Sequence, residues 1–478
     1  MRATTAMGCL AAAALSIFVV APAPAYDAWA WLLWGREVAG GALHTAEGPA
    51  FKPLPVAVCA LLSAFGDAAA LLWVIVARTG ALLAVVLAFR LGWRLMGEAL
   101  GAGGAGRSPL VGGLLAAAGV ALCGSFLGYA AEGVVTGWLV ALGLAGLEAW
   151  RAGRPRAALA CAVACCLLHV EAWPFAAAFG LFAWLRRPSD RPLLAVAAIA
   201  VPALWIVPEW IGSGDPLRSG ARARIPNPGQ PALADVPALA SLEQSARLLL
   251  WPLWIGIAAL ALAAWRPSPG GGLPPRAWSA LGEGLGGAAA LAAIGTAWVL
   301  LVALMAQFGG FSGEPRYATP GVALIAIAAA VGLASGIAAI SRRAFGRAWI
   351  AAAVLGSALL VAGIARLDQL SAVPAAQAHQ WRLANDLSEA VEAAGGRDAV
   401  LSCGIPYVGP LRGPLLAHRL DVAKEVVEPD LPPRPPAVVF RSPRRAGARV
   451  TPAARPVFRQ IAVVGDWQVA RACRVRKP

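Results

Sequence analysis

Three acidic residues stand at the ends of long apolar segments in a chain that has few charges. They are Asp27, in the stretch Tyr26-Asp27-Ala28-Trp29, Glu132 and Glu171. Ionisable groups at the edge of a membrane are costly and usually functional. Each has a structural alternative, since Asp27 can cap a helix beginning at Ala28, and the two glutamates can stabilise helix starts through the helix dipole. Together, the three acids indicate a site in which one carboxylate acts as a general base and the others support it.

Cationic side chains accompany these acids. Arg316 and Tyr317 follow Glu314-Pro315 at the start of an apolar segment, and Arg78 lies inside another. Arginine binds phosphate through a planar fork of donors, so we predict that these three residues contact a phosphate. For Arg78, a salt bridge with an acid at a helix end is the alternative. Carboxylates and phosphate-binding arginines at one membrane face predict group transfer from a lipid-linked phosphate.

The composition restricts the class of protein. The chain has 478 residues, of which 59% are hydrophobic and 14% charged, and its mean hydropathy is +0.67. Soluble proteins carry more charge, and apolar runs long enough to span a bilayer recur along the sequence. The net charge of +15 is almost all arginine, which in a membrane protein is first a topology signal. No nucleic-acid-binding module is recognisable, and we expect no nucleic acid partner. The sequence therefore predicts a polytopic α-helical membrane protein.

We expect about 11 transmembrane helices. Residues 1–25 form either an uncleaved first helix or a signal peptide. We interpret 55–90 as one helix with an interfacial piece, because the arginines then fall in alternate loops on the cytoplasmic side. Those arginines are Arg90, Arg94, Arg107, Arg151, Arg154, Arg156, Arg186, Arg187, Arg191, Arg266, Arg276, Arg342, Arg343 and Arg347. The later helices are expected at 109–129, 132–150, 157–171, 173–185, 192–211, 247–265, 286–308, 318–340 and 348–366.

This topology places the acids and the loop 211–246 outside the cell. That loop combines Arg218, Arg222 and Arg224 with Pro and Gly, so we expect irregular backbone. It is either a solvated loop or a basic lid over an anionic ligand. Together, residues 1–366 are the expected membrane core, with 26–55 as its first outer loop.

A second domain is expected at residues 367–478, outside the membrane. A polar helix is predicted at 377–394, with strands at 399–402, 437–440 and 460–464, which indicates a small α/β domain. Cys403 and Cys473 are the only cysteines in this polar part. Because the outside is oxidising, we predict that they form a disulfide.

The order of short motifs resembles the GT-C superfamily of integral-membrane glycosyltransferases, especially its bacterial, actinobacterial-type members. The resemblance covers the membrane core and is carried by four motifs: Tyr26-Asp27-Ala28-Trp29, Ala131-Glu132-Gly133, Glu171-Ala172-Trp173-Pro174-Phe175, and Glu314-Pro315-Arg316-Tyr317-Ala318-Thr319-Pro320. It implies that Asp27 activates the acceptor and that Arg316 and Tyr317 contact the donor phosphate. By the same resemblance, Glu132 and Glu171 orient substrate or bind a metal. Many members carry a second acid beside the first, where this chain has Ala28, so we expect no metal cofactor.

The expected activity is a hexosyl- or pentosyltransferase, similar to mannosyltransferases of the superfamily. It would move a sugar from a polyprenyl-phosphate co-substrate to a glycan, lipid or protein of the cell envelope, with inversion. A transporter or flippase is the first rival, but it would predict internal repeats and charges at the membrane midplane. A non-catalytic scaffold is the second, because the second acid of the first loop is missing.

Overall fold

The structure is a computed structural model that describes residues 3–100, 108–265, 284–343, 345–428, 432–453 and 455–473. Three of the arginines used for the topology, Arg107, Arg266 and Arg276, lie outside the described residues. The side chains of Arg342, Arg343 and Arg347 lie outside what is described as well.

Nineteen helices are described in these ranges. The first sixteen build a helical bundle and its connecting loops: α1 Ala3–Leu15, α2 Tyr26–Ala39, α3 Pro53–Leu62, α4 Ala69–Leu100, α5 Ser108–Ala121, α6 Phe126–Ala131, α7 Thr136–Arg151, α8 Pro155–Leu168, α9 Trp173–Arg186, α10 Arg191–Ser213, α11 Arg218–Ala223, α12 Pro237–Ala246, α13 Leu253–Trp265, α14 Gly284–Gly309, α15 Pro315–Arg343 and α16 Phe345–Ser371. The others are α17 Val373–Ala393, α18 Gly396–Cys403 and α19 Gly413–Leu420.

Five stretches of the described chain are long and apolar enough to cross a membrane: Pro53–Leu100, Pro188–Ser213, Gly284–Gly309, Pro315–Ile340 and Ala353–Ala393. Four shorter apolar helices accompany them, at Ala3–Phe18, Ser108–Ala121, Pro155–Leu168 and Leu253–Ala263. The protein is therefore a multi-pass membrane protein of mainly helical structure. The predicted number of about 11 membrane helices is not confirmed by these stretches.

Small residues allow the bundle helices to pack closely. A methyl group added at Gly321 of α15 would lie 2.6 Å from the carbonyl oxygen of Gly295 in α14. One added at Gly256 of α13 would lie 2.0 Å from the carbonyl oxygen of Ala329 in α15. Close contact between small residues is a main source of helix association in membranes. It fixes α15, whose first turn carries Arg316 and Tyr317.

Helix boundaries differ from the prediction where the backbone turns. The predicted helix 109–129 is interrupted at Gly124, which adopts a positive φ of 52° between α5 and α6. The predicted helix 157–171 ends at Leu168, and a short 3-10 turn, Val170–Ala172, follows before α9. Apolar periodicity does not reveal such breaks, because the segments on both sides remain apolar.

At one end of the bundle, the loop arginines are paired with acids. Arg90 and Arg94 contact Glu148 at 3.3 and 3.4 Å, and Arg156 and Arg187 contact Asp190 at 3.0 and 2.9 Å. Arg151 forms an ion pair with Glu98. The opposite end holds the starts of α2, α3, α7 and α15.

The C-terminal part forms a small mixed sheet of five strands. They are β1 Ile405–Val408, β2 Ala437–Pro443, β3 Val450–Thr451, β4 Arg459–Val464 and β5 Trp467–Ala472, in the order β1-β2-β5-β4 with β3 against β2. A disulfide joins Cys403 to Cys473. The strand predicted at 399–402 is wrong, since these residues lie in α18. A short apolar run is ambiguous between strand and helix, and here Val400 packs into the core from a helix.

Candidate functional site

Several predicted site residues meet at the end of the bundle away from the paired arginines. Asp27 lies in the first turn of α2, and Arg316 and Tyr317 lie in the first turn of α15. Glu171 lies in the 3-10 turn between α8 and α9. Lys52, which directly precedes α3, joins them. Each of these side chains thus projects from a helix end rather than from a flexible loop.

Arg316 is held by acids on two sides. Its Nη1 lies 3.1 Å from Asp27 Oδ2, and its Nε lies 2.6 Å from Glu314 Oε2. Its Nη2 donates a hydrogen bond of 3.1 Å to Tyr317 Oη. The Arg316 and Asp27 side chains are 27% and 16% exposed, so a ligand can reach them. Asp27 is not a helix cap, because Ala25 occupies the N-cap position of α2.

A second group forms a hydrogen-bonded chain of three residues. Lys52 Nζ lies 3.0 Å from His169 Nε2, and His169 Nδ1 lies 3.2 Å from Glu171 Oε2. Because an ammonium group only donates, Nε2 must accept, and Nδ1 then carries the proton donated to Glu171. The Lys52 ammonium also faces the ring of Trp31, with its Nζ 5.5 Å from the ring centroid.

The two groups form one charged cluster, which we define as Asp27, Lys52, His169, Glu171, Glu314, Arg316 and Tyr317. The ring of His169 meets the ring of Tyr317 edge-on, with 5.6 Å between centroids. Burial lowers the pKa of Lys52 to about 8, while the nearby charge of Asp27 acts to raise it and that of Arg316 to lower it. Lys52 and Arg316 therefore act in the same electrostatic environment.

The other pKa shifts in the cluster keep its histidine neutral and its glutamate ionised. Burial, together with the charge of Lys52, lowers the pKa of His169 below its usual range. Burial alone would raise the pKa of Glu171, but the hydrogen bond from His169, a backbone hydrogen bond and nearby positive charge, including that of Lys52, together outweigh it and lower that pKa. Such a pair is stable as neutral imidazole and carboxylate.

Glu132 lies beside the cluster at the end of α6. Its carbonyl oxygen accepts a hydrogen bond of 2.8 Å from the N–H of Ala25, which anchors the chain two residues before Asp27. Burial raises the pKa of its side chain, and the charge of Arg316 opposes this shift. Glu132 thus contributes a carboxylate near Arg316 and a backbone anchor for α2.

Arg78 does not join the cluster, contrary to its predicted contact with a phosphate. Its guanidinium is buried and donates to Ser16 Oγ at 2.9 Å and to the carbonyl oxygens of Val20, Ala21 and Ala131 at 2.9, 3.0 and 3.3 Å. A buried arginine needs acceptors, and carbonyls left unpaired at helix ends supply them. Arg78 therefore ties the segment before Asp27 to the turn before Glu132. None of its described partners is the acid expected in the alternative interpretation.

The three arginines of the predicted basic lid have separate environments. Arg218 is buried, with its Nε 2.9 Å from Glu209 Oε2 and its Nη2 2.7 Å from the carbonyl oxygen of Pro49. Arg222 is in an exposed hydrogen bond to the carbonyl oxygen of Ile225, at 3.1 Å. Arg224 faces the ring of Phe311, 5.9 Å from its centroid. Arg218 is thus a structural residue in this loop.

The loop nevertheless connects the two halves of the cluster. We call residues 218–232 the strap. At one end, Ser219 Oγ accepts a hydrogen bond of 2.7 Å from the N–H of Phe51, next to Lys52. At the other end, Gln230 Nε2 donates to Glu314 Oε1 at 2.5 Å. The strap therefore touches the neighbours of both cations.

Each carboxylate of the cluster already contacts a cation or a histidine. Asp27 and Glu314 contact Arg316, and Glu171 contacts His169. Within the ranges that the structure describes, no group of three or more His, Cys, Asp and Glu side chains is placed to hold a metal ion. The acids of the cluster thus do not fit a metal centre.

Lys52, His169 and Glu314 were not among the predicted site residues. One signal could have identified Lys52, because the chain has only three lysines and this one directly precedes an apolar segment. His169 is one of only four histidines and stands two residues from Glu171. Their contact depends on the meeting of α3 and the turn after α8, which local sequence does not reveal.

The solved structures that are similar to this chain include two of ArnT from Cupriavidus metallidurans. The structure bound to undecaprenyl phosphate is 12% identical, with a TM-score of 0.48, and the apo structure is 16% identical, with a TM-score of 0.45. Each alignment covers 98% of both chains. No protein-family model matches the sequence, and no curated protein does. The roles of individual residues rest on the geometry above.

Proposed function

We propose that this protein is a membrane glycosyltransferase that transfers a sugar from a polyprenyl-phosphate donor to an acceptor of the cell envelope. One observation carries the proposal. Two cationic side chains, Lys52 and Arg316, share a cluster with the carboxylate of Asp27 at one end of an apolar helical bundle. Two cations suit an anionic group, and the carboxylate suits a proton acceptor.

The cations would bind the donor phosphate. Arg316 offers a planar fork, and Lys52 offers a compact ammonium charge. As the bond between the sugar C1 and the phosphate oxygen breaks, the electron pair and negative charge move to the phosphate. Cations fixed in advance stabilise that charge without reorganising. The hydroxyl of Tyr317, already a partner of Arg316, is a further donor for the phosphate.

Asp27 would act as the general base. The acceptor hydroxyl attacks C1 from the face opposite the phosphate, and its proton passes to the Asp27 carboxylate. The new bond joins the acceptor oxygen to C1, and the polyprenyl phosphate leaves with the old bonding pair. A single displacement of this kind inverts the configuration at C1. Glu132, whose carboxylate lies near Arg316, would help to orient the acceptor.

The acceptor side is proposed to be extracytoplasmic. The loop arginines at the other end of the bundle fit the cytoplasmic face by the positive-inside rule. The disulfide between Cys403 and Cys473 supports an oxidising location for the C-terminal domain. Both arguments agree with an envelope glycan, lipid or protein as the acceptor.

The test is transfer of labelled sugar from synthetic polyprenyl-phosphate donors to envelope extracts. Purified wild type, Asp27→Asn and a control, Asp398→Asn, would be compared. Asp398 is 94% exposed and belongs to α18, so its loss should leave transfer unchanged. We expect Asp27→Asn to reduce the rate by about 100-fold or more, the usual scale of general base catalysis. Absence of transfer by the wild type from every donor would contradict the proposed function, and full activity of Asp27→Asn would remove Asp27 as base.

A further inference from the structure

The two cations of the cluster differ in how their charges are compensated. Arg316 contacts two carboxylates, those of Asp27 and Glu314. Lys52, in contrast, has no carboxylate within ion-pair distance in the described part of the chain, and its Nζ is hydrogen-bonded to His169. A neutral acceptor fixes the position of an ammonium group without cancelling its charge. Lys52 is therefore the stronger centre of attraction for an incoming anion.

The position of His169 is itself fixed from three directions. Its backbone N–H donates to the carbonyl oxygen of Cys165 at 3.0 Å, which places it at the last turn of α8. Its Nδ1 is held by Glu171, and its ring packs edge-on against Tyr317. The imidazole is 5% exposed, so water does not compete for its nitrogens. Glu171 thus selects the tautomer whose Nε2 lone pair faces Lys52.

We propose that His169 is a positioning residue that keeps Lys52 in place as an uncompensated cation for the donor phosphate, with its tautomer fixed by Glu171. This role rests on the proposed function, because it names how one phosphate ligand of that site is prepared. It also gives Glu171 a different task from that of a catalytic acid or a metal ligand. Glu171 acts through His169 and does not touch the phosphate.

A pH dependence follows from this arrangement. When His169 takes up a proton, Nε2 becomes a donor, so Lys52 loses its acceptor and faces a second positive charge. The groups around Lys52 are Asp27 from α2, Arg316 from α15 and Glu171 from the turn after α8. Among these neighbours, His169 contacts Lys52 directly, and protonation of its Nε2 would remove the hydrogen bond between the two residues. Phosphate binding should therefore be lost on acidification, below the usual titration range of histidine.

The experiment measures binding of undecaprenyl phosphate to the full-length protein across a pH series. Three variants would be compared with wild type. His169→Leu removes the acceptor for Lys52, and His169→Gln retains an acceptor that does not titrate. Glu171→Gln weakens the preference of His169 for one tautomer. His44→Leu is the control, because His44 is 47% exposed on its side chain and pairs with Glu37 away from the cluster. Thermal unfolding of each variant checks folding.

At neutral pH, we expect His169→Leu to weaken binding by about tenfold or more, the scale of one hydrogen bond to a charged group. His169→Gln should bind undecaprenyl phosphate with nearly the wild-type affinity, and its affinity should not fall at acidic pH. If His169→Leu fails to fold, the pH series of His169→Gln decides, and an unchanged acid-side fall there overturns the inference. Equal binding by folded His169→Leu and wild type overturns it too and leaves the proposed function intact. A wild type that neither binds undecaprenyl phosphate nor transfers sugar contradicts the proposed function itself.

Discussion

In the proposed function, the guanidinium of Arg316 exchanges a partner when the donor phosphate binds. Its Nη1 faces Asp27, its Nη2 faces Tyr317, and its Nε faces Glu314. In the proposed function, a phosphate that takes the Nη1 donor facing Asp27 would release that carboxylate, which could then accept the proton of the acceptor hydroxyl. Donor binding and activation of the base would thereby be coupled through one side chain.

Replacing Arg316 by lysine tests this coupling. Lysine keeps the positive charge but cannot bind phosphate and carboxylate through a planar fork, so the change is not conservative here. We expect Arg316→Lys to weaken donor binding by about tenfold or more. The measurement is the Kd for undecaprenyl phosphate, with Arg397→Lys as the control, since Arg397 lies in the C-terminal domain beside Asp398. Equal affinities in Arg316→Lys and wild type would contradict a forked contact.

Loss of the proton from Lys52 should set an alkaline limit to donor binding. Burial lowers its pKa to about 8, and only the protonated ammonium attracts phosphate. Affinity should therefore be high at neutral pH and fall as the pH rises through about 8. In Lys52→Arg the cation stays charged throughout this range, so the alkaline fall should disappear. The initial slope of the transfer rate against donor concentration, measured from pH 6 to 10, checks this. An identical alkaline limb in Lys52→Arg would assign the titration to another group.

At the scale of the elements, the strap depends on a buried ion pair. Arg218 and Glu209 are 11% and 1% exposed, and Arg218 also reaches the carbonyl oxygens of Gly48 and Pro49 in the first loop. These contacts hold the segment that leads to Lys52 against the end of α10. The arginine is thus part of the support of the site.

Removing one partner of this pair leaves a buried charge without compensation. We expect Arg218→Met to lower the free energy of unfolding by about 3 to 5 kcal/mol. Adding Glu209→Leu should recover part of that loss, because the unpaired carboxylate is then gone. Thermal unfolding in detergent measures both effects. Arg222→Met is the matched control, since Arg222 donates a solvent-exposed hydrogen bond to a carbonyl of its own turn. A double variant no more stable than Arg218→Met would argue against the ion pair.

The sequence predicted the structural features that depend on local hydrophobic pattern. It did not predict those that depend on contacts between residues far apart in the chain. Long apolar segments predicted the helical membrane protein, and the short strand-like runs at 437–440 and 460–464 predicted two strands that lie in β2 and β4. The bond between Lys52 and His169, 117 residues apart, has no local signal. The described contacts of Arg78 were not predicted, because three of its four acceptors are backbone carbonyls, which every sequence offers and none specifies.

At the scale of the whole molecule, the C-terminal domain is docked against α2, the helix whose first turn carries Asp27. Trp29 meets His418 of α19 edge-on, with 5.4 Å between ring centroids. Arg36 contacts the carbonyl oxygen of His418 at 2.9 Å and Asp421 at 3.1 Å. Burial lowers the pKa of His418 to about 3, so it stays neutral at physiological pH. The position of α2 therefore depends on a domain more than 300 residues further along the chain.

The disulfide that closes this domain should therefore influence activity from a distance. It joins residues 70 positions apart, and closing a loop of that length stabilises a domain by about 4 kcal/mol in the chain-entropy view. We expect Cys403→Ala with Cys473→Ala to lower the unfolding temperature of the domain and to make residues 404–472 more sensitive to protease. Transfer should fall as well, because a loosened α19 no longer holds α2 and with it Asp27. Cys161→Ala, which alters a cysteine outside the disulfide, is the control. Protease sensitivity that rises while transfer stays at the wild-type rate would show that the docked domain does not position the base.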